Sequence, residues 1–204
     1  MSIVLNSTTG ITTPPVSVEG STSGTITLVA PAVAGTNTQT LVAATGTLAP
    51  LIAGTAQAST SGTSIDFTGI PSWVDRITVM FNNVSTSGTS NIQIQIGSGS
   101  VETTGYVSVA LQLQNAAANT LASSTTGFIV TGSNAGTVFH NGFAVLSLLG
   151  SNIWTQTGNF QNTAPVLNSN AGSKTASGTL DRVRITTVNG TDTFDAGTIN
   201  ILYE

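Results

Sequence analysis

Ile92-Gln93-Ile94-Gln95-Ile96 alternates apolar and amide side chains without a break, and this stretch decides the fold class. A period of two sends successive side chains to opposite faces of an extended strand, whereas a helix needs a repeat near 3.6. The same alternation recurs outward from it, in Ile77-Thr-Val-Met-Phe81, Val107-Ser-Val-Ala-Leu-Gln-Leu-Gln114, Val183-Arg-Ile185 and Ile199-Asn-Ile-Leu-Tyr203. Each run is expected to turn its apolar side chains to a core and its hydroxyl or amide groups to water. Turn signals separate the runs: Asn82-Asn83, Ser87-Gly88, Gly97-Ser98-Gly99, Asn141-Gly142, Asn170-Ala171-Gly172 and Asn189-Gly190. Asn189-Gly190, between Val188 and Thr191, predicts a hairpin, because both residue types tolerate φ > 0. Helix is expected only as a single turn at Ser72–Asp75 after Pro71 and as a short patch at Asn115–Asn119. Many short strands with regularly spaced turns predict an all-β chain, an antiparallel sandwich or jelly roll.

Composition agrees. Only 6% of the 204 residues are charged, against about 25% in ordinary soluble domains. Yet 39% are hydrophobic and the mean hydropathy is +0.28, so the chain does not read as disordered. The 23 Ser and 36 Thr, 59 of 204, supply the wet faces that Lys and Glu usually supply. There is no Cys, so disulfides are excluded. No window approaches the roughly 18 apolar residues of a membrane helix, and Met1–Asn6 lacks the basic flank and long apolar run of a secretory signal. Four scattered cations and a net charge of −4 argue against nucleic acid, whose phosphates need clustered Lys or Arg.

The texture changes near residue 57. Residues 1–57 hold no Lys, Arg, His or aromatic residue and one acid, Glu19. This region, with Pro14-Pro15 and strand-like runs at Gly24–Pro31 and Thr38–Val42, reads as an extended β-rich arm or shaft. All 7 Phe, both Trp and both Tyr lie in 58–204, which reads as the head domain. Soluble β-proteins guard exposed strand edges with charge, and this chain has a single lysine, Lys174. Its edges are therefore expected to be covered by closure, bulges or other copies, with a homotrimer the favoured assembly.

The candidate sites are few. A glycan-cleaving reading needs paired carboxyls, drawn from Asp66, Asp75, Glu102, Asp181, Asp192 and Asp195. Asp75-Arg76 and Asp181-Arg182 both precede strands and read as ion pairs or turn acceptors. Asn189, Asp192 and Asp195 suggest an oxygen cluster for calcium, but their spacing fits no established loop and turn chemistry accounts for them; no catalytic residue, metal or cofactor is assigned. His140 is the sole histidine, which excludes a histidine triad or multi-histidine metal site within one chain; a strand-end side chain is the plainer reading. Phe67, Phe81, Phe128, Phe143 and Phe160 are expected in the core, with Trp73 capping it. Trp154, in Gly150-Ser-Asn-Ile-Trp-Thr-Gln-Thr-Gly158, offers a sugar-stacking face with Asn152 and Gln156 if exposed on a loop; a buried indole is the competing reading.

GTSIDFTGIPSWVDRITVMFNNVSTSGTSNIQIQIG (62–97), ETTGY (102–106), SSTTGF (123–128) and SGTLDRVRITTVNGTDTFDAGTINILYE (177–204) resemble the carboxy-terminal domain common in tail-fibre proteins of tailed bacteriophages. The resemblance covers most of residues 60–204; GTITLVAPAVAGTNTQTLVAATGTL (24–48) resembles fibre-shaft modules less specifically. It implies a non-enzymatic structural protein on the virion surface. Such a protein is a homotrimeric fibre tip made in the host cytoplasm, attached to other virion proteins through 1–57 and binding a host-surface glycan or protein. A capsid-decoration or head-fibre protein held to the shell by 1–57 is the alternative. A polysaccharide depolymerase and a bacterial surface adhesin are the readings from other classes.

Overall fold

The computed structural model describes residues 16–19, 25–28, 50–115, 117–163 and 166–204. The chain divides into two units, Met1–Thr47 and Leu48–Glu204. The division falls ten residues before the change in texture at residue 57, because residues 52–58 pair with the last strand of the larger unit. In the smaller unit, β1 (Val16–Glu19) and β2 (Thr25–Leu28) pair antiparallel, Val16 opposite Leu28. β2 falls in the run expected at Gly24–Pro31; Pro14-Pro15 and Thr38–Val42 lie outside the described residues.

The larger unit holds β3 (Ile52–Ala53), β4 (Gln57–Ala58), β5 (Ser64–Thr68), β6 (Arg76–Thr86), β7 (Ile92–Ser98), β8 (Ser100–Val101), β9 (Tyr106–Leu113) and β10 (Thr120–Ser124). These are followed by β11 (Phe128–Ile129), β12 (His140–Gly150), β13 (Ile153–Asn162), β14 (Leu167–Thr175), β15 (Arg182–Thr187) and β16 (Phe194–Tyr203). Every pairing is antiparallel, and no helix occurs among the described residues. One sheet runs β10-β9-β14-β13-β12-β6-β16-β3, with β4 also on β16; the other runs β11-β7-β15-β5, with β8 on β7. A single apolar cluster draws on both, with Val79, Phe81, Leu146, Phe160 and Ile201 from the first and Phe67, Ile94, Ile96, Val183 and Ile185 from the second.

Several turn expectations are corrected. Asn82-Asn83, Asn141-Gly142 and Asn170-Ala171-Gly172 lie inside β6, β12 and β14. The first two form one line of bulges. Asn83 (φ 52) donates its N–H to Asn141 Oδ1 at 2.8 Å, Gly142 has φ 147, and Gly197 on neighbouring β16 has φ 96. The β12–β6 and β6–β16 registers both shift here. Asn and Gly therefore mark left-handed residues that bend three long strands together. Asn189-Gly190 does turn, Gly190 N–H meeting Thr187 O at 3.0 Å, but it leads from β15 in one sheet to β16 in the other and closes no hairpin. Of the Asn115–Asn119 patch, residue 116 lies outside the described residues and the others are not helical, while Pro71–Val74 is one hydrogen-bonded turn of 3.1 Å.

Facing also departs from expectation. Both parities of β7 are buried, Gln93 and Gln95 being 2% and 5% exposed. The segment after β10 covers them: Gln95 Nε2 donates to Thr126 O at 2.8 Å, and Gln93 Oε1 accepts from Ser124 Oγ and Thr126 Oγ1. β9 is inverted. Ser108, Ala110 and Gln112 point in, while Val107 is 72% exposed and Val109 and Leu113 are also outside. The inner surface of β9 and β14 meets the short edge strand β11 and the irregular segment Val130–Asn134 that follows it, where backbone groups need partners. Ser108 Oγ accepts from Ile129 N at 2.8 Å, Asn168 Oδ1 from Gly132 N at 3.0 Å, and Asn170 Nδ2 donates to Val130 O at 3.1 Å. An unpaired buried backbone group costs about as much as a lost hydrogen bond, so here the polar side chains are the ones drawn inward.

Candidate functional site

Every cation is paired. Arg184 grips Asp66 through two hydrogen bonds (2.7 and 2.8 Å), Arg182 grips Asp181 (2.7 and 3.1 Å), Arg76 meets Glu204 (3.1 Å) and Lys174 meets Glu102 (2.6 Å). The Asp181-Arg182 pair thus forms within the dipeptide, but Arg76 turns away from Asp75 to the chain end. Asp75 contributes its backbone instead, its N–H to Glu204 O at 3.0 Å and its carbonyl to Leu148 N at 2.8 Å. No guanidinium or ammonium is left over to cluster against phosphate.

Most of the candidate carboxyls are engaged as well; the Asp75 side chain is the exception. For Glu102, burial pushes the pKa up, but hydrogen bonds from Lys174 and Ser177 outweigh it and the net shift is down. The Arg182 hydrogen bonds hold Asp181 below its ordinary value. Both shifts oppose the raised pKa that a glycosidic proton donor needs. Asn189 Oδ1 accepts from Thr187 Oγ1, Thr191 N and Asp192 N, while Asp192 accepts from Asn189 Nδ2 and Ser90 N. Asp195 accepts from Ser85 Oγ. The oxygens of Asn189, Asp192 and Asp195 are thus taken up by hydrogen bonds within the turn and from Ser85 and Ser90, and no group of three or more metal-ligating side chains occurs among the described residues.

His140 lies fully buried on β12, its Nε2 2.9 Å from Asn134 Oδ1, and burial lowers its pKa to about 4. Asn134 in turn donates to Thr86 Oγ1 and Ser90 O. The ring therefore pins the 131–139 segment to the sheet.

The aromatic expectations divide. Phe67, Phe81, Phe128 and Phe160 are buried, with the Phe81 and Phe160 ring centroids 5.0 Å apart, but Phe143 faces out at 52% exposure. Of the two readings of Trp154, the buried indole holds and the exposed loop does not. Trp154 lies in β13, between Leu148 of β12 and Lys174 of β14, at 2% exposure, so no indole face is open to a sugar. Gln156 is buried against Asn170, and Asn152 (φ 60) is part of the tight β12–β13 connection, where its carbonyl accepts from Ala176 N at 2.9 Å. Those three residues make no common surface.

Two surfaces remain. The outer face at the β10–β9–β14 end of the larger sheet carries Leu121, Val107, Val109, Leu113 and Leu167, all exposed, and continues across β13 to Phe143 on β12. A hollow of about 480 Å³ lined by Val107, Val109, Ser123, Ala171 and Ser173 opens on it. The β9–β14 and β13–β12 registers put no charged residue on this face between Leu121 and Phe143, and among the described residues no strand pairs with the uncharged outer edge of β10. Sequence reading missed this surface because it assigned the apolar parity of β9 to the core. The second surface is a cleft of about 360 Å³ where the β3–β4 segment meets β5, lined by Thr55, Gln57, Asp66, Thr68, Ile201 and Tyr203 among others. Beside it, the Trp73 ring sits 6.0 Å from that of Tyr203, tilted by 47°, and is 42% exposed rather than sealed over the core. Comparison with protein-family models, with curated proteins and with solved structures finds no match.

Proposed function

We propose that the chain is a non-enzymatic structural protein displayed on a tailed-phage particle, a homotrimer whose residues 58–204 form a β-sandwich head. The observation that carries the reading is the uncharged apolar face of β10, β9 and β14. Large exposed apolar patches mark interaction sites, and an unguarded edge strand invites a partner. These three strands, of about eight residues at about 4.8 Å between strands and 3.3 Å per residue, project about 380 Å², and the uncharged surface of β13 and β12 beside them extends this to about 600 Å². That approaches the roughly 800 Å² per partner of a stable interface. With a net charge of −4, copies of the chain meet at least electrostatic cost where they carry no charge. Assignment to a particle, as a fibre tip or a shell decoration held by residues 1–57, rests on the sequence resemblance of 62–97 and 177–204. The downward shifts at Glu102 and Asp181 favour this over a depolymerase.

Solution mass tests it. The full-length protein is expected as a trimer, and Val109→Lys with Leu121→Lys as a folded species of lower mass. A well-behaved full-length monomer overturns the reading. Labelling of intact particles then separates tail from shell.

A further inference from the structure

We infer that the cleft between β3–β4 and β5, with Trp73 and Tyr203 beside it, is a binding site for a neutral saccharide unit. Three features select that ligand class. The first is the aromatic pair. The chain has two tryptophans; Trp154 is buried, while Trp73 keeps 42% of its surface in water next to Tyr203, which lines the cleft. The exposed indole of Trp73, with the partly buried Tyr203 ring beside it, suits the C–H face of a pyranose, since aromatic rings combine large apolar area with a polar handle.

The second is the polar lining. Thr55 and Thr68 supply hydroxyls and Gln57 an amide, whose Nε2 is anchored on Asp66 O at 2.7 Å. The Asp66 carboxylate is held by two hydrogen bonds from Arg184. A carboxylate offers about four acceptor positions, so this fixed group still accepts from a ligand hydroxyl. Small-ligand sites combine an apolar surface with a few such placed groups.

The third is charge. Asp66 and Arg184 cancel, leaving nothing to attract an anion or a cation. At about 360 Å³ the cleft lies at the small end of ligand sites, about 300–1000 Å³, and suits one or two sugar rings rather than a long chain. This deepens the reading of a surface-displayed protein and rests on it, with weak sites multiplied by copy number. The two still fail separately, because mass tests assembly and the following test does not.

The full-length protein is exposed to methyl glycosides of glucose, galactose and N-acetylglucosamine at millimolar concentration. Saturation-transfer NMR reports binding, and acrylamide quenching reports Trp73, since Trp154 is shielded. At least one glycoside is expected to receive saturation and to protect the fluorescence. Trp73→Ala is expected to weaken binding about tenfold, the worth of one aromatic contact. Thr68→Val, on the exposed end of β5, checks the polar lining should Trp73→Ala fold poorly. Weakened binding in either variant, at an unchanged urea midpoint, supports the site. Absence of saturation transfer to all three glycosides overturns it, as does unchanged binding in both variants.

Discussion

β7 and β9 are the two most regular alternations in the chain, and they fold to different ends. β7 lies between β11 and β15, with isoleucines in the core and glutamines under the 124–126 segment, so both of its faces are dry. β9 has serine and glutamine inside and valine and leucine outside. Alternation defines two faces. What lies across from each face decides which is buried. β7 looks across at another apolar sheet, and apolar against apolar is the stable contact. β9 and β14 look across at Phe128–Asn134, a segment with backbone hydrogen bonds to complete, and polar side chains are stabilising there.

The difference predicts a wide spread of mutational effects. The largest belongs to the shared core. Phe160 is fully buried against Phe81, and Phe160→Ala is expected to cost about 3–5 kcal/mol in urea denaturation. Leu121→Ala, at 68% exposure on the outer face, is expected to stay within about 0.5 kcal/mol in the dissociated protein. Equal costs would erase the distinction between the faces.

Acid probes the polar interior. His140 has a folded pKa of about 4, below its ordinary 6.5, because burial disfavours the imidazolium. The unfolded chain therefore binds the proton first, and stability falls as pH drops from about 6.5 to 4, by up to about 3 kcal/mol. Glu102 and Asp181, also lowered, lose their contributions in a more acidic window, from below about 4.5. Urea midpoints of the wild type and His140→Gln between pH 7 and pH 2 separate the two. The variant is expected to flatten the upper window and keep the lower one. An unchanged slope would mean that the ring is solvated.

How much of this the sequence disclosed follows the same line. Strand positions were legible, because Ile77–Phe81, Ile92–Ile96, Val183–Ile185 and Ile199–Tyr203 each carry a local period-two signal. Turn residues were legible as left-handed positions, but not as turns rather than bulges; Asn83 and Gly142 have the required φ inside strands that continue. Facing was not legible for β9 or Phe143, since it depends on neighbours distant in sequence; for Trp154 the buried indole was one of two readings, and it is the one that holds. Trp154 sits among polar residues in the chain, yet its register neighbours place it beside Leu148. The Trp73–Tyr203 pair joins residues at opposite ends of the larger unit, and no local pattern announces it.

Gln93 tests the dry polar face of β7. Its Oε1 accepts from two hydroxyls, Ser124 at 3.2 Å and Thr126 at 3.0 Å. Gln93→Ala leaves both without that acceptor and is expected to cost about 1–3 kcal/mol by urea denaturation. A cost near zero would mean that water reaches this face as freely as it reaches the outside of β9.

The smallest effect makes the sharpest test, because it uses one substitution in both sheets. Val→Thr keeps the branched shape and exchanges a methyl for a hydroxyl, so it asks only whether the position is dry. At Val183, fully buried on β15, the hydroxyl enters the apolar core and Val183→Thr is expected to cost about 1–3 kcal/mol. At Val107, 72% exposed on β9, the hydroxyl meets water and Thr retains strand propensity, so Val107→Thr is expected within about 0.5 kcal/mol. The dissociated protein must be used, since in an assembly closed over β9 the Val107 hydroxyl is buried too. A concentration series then adds what a single stability value lacks. If the cost of Val107→Thr grows with protein concentration while that of Val183→Thr stays fixed, the outer face of β9 becomes dry only when copies meet. Identical, concentration-independent costs would show that β9 turns its valines inward as β15 does.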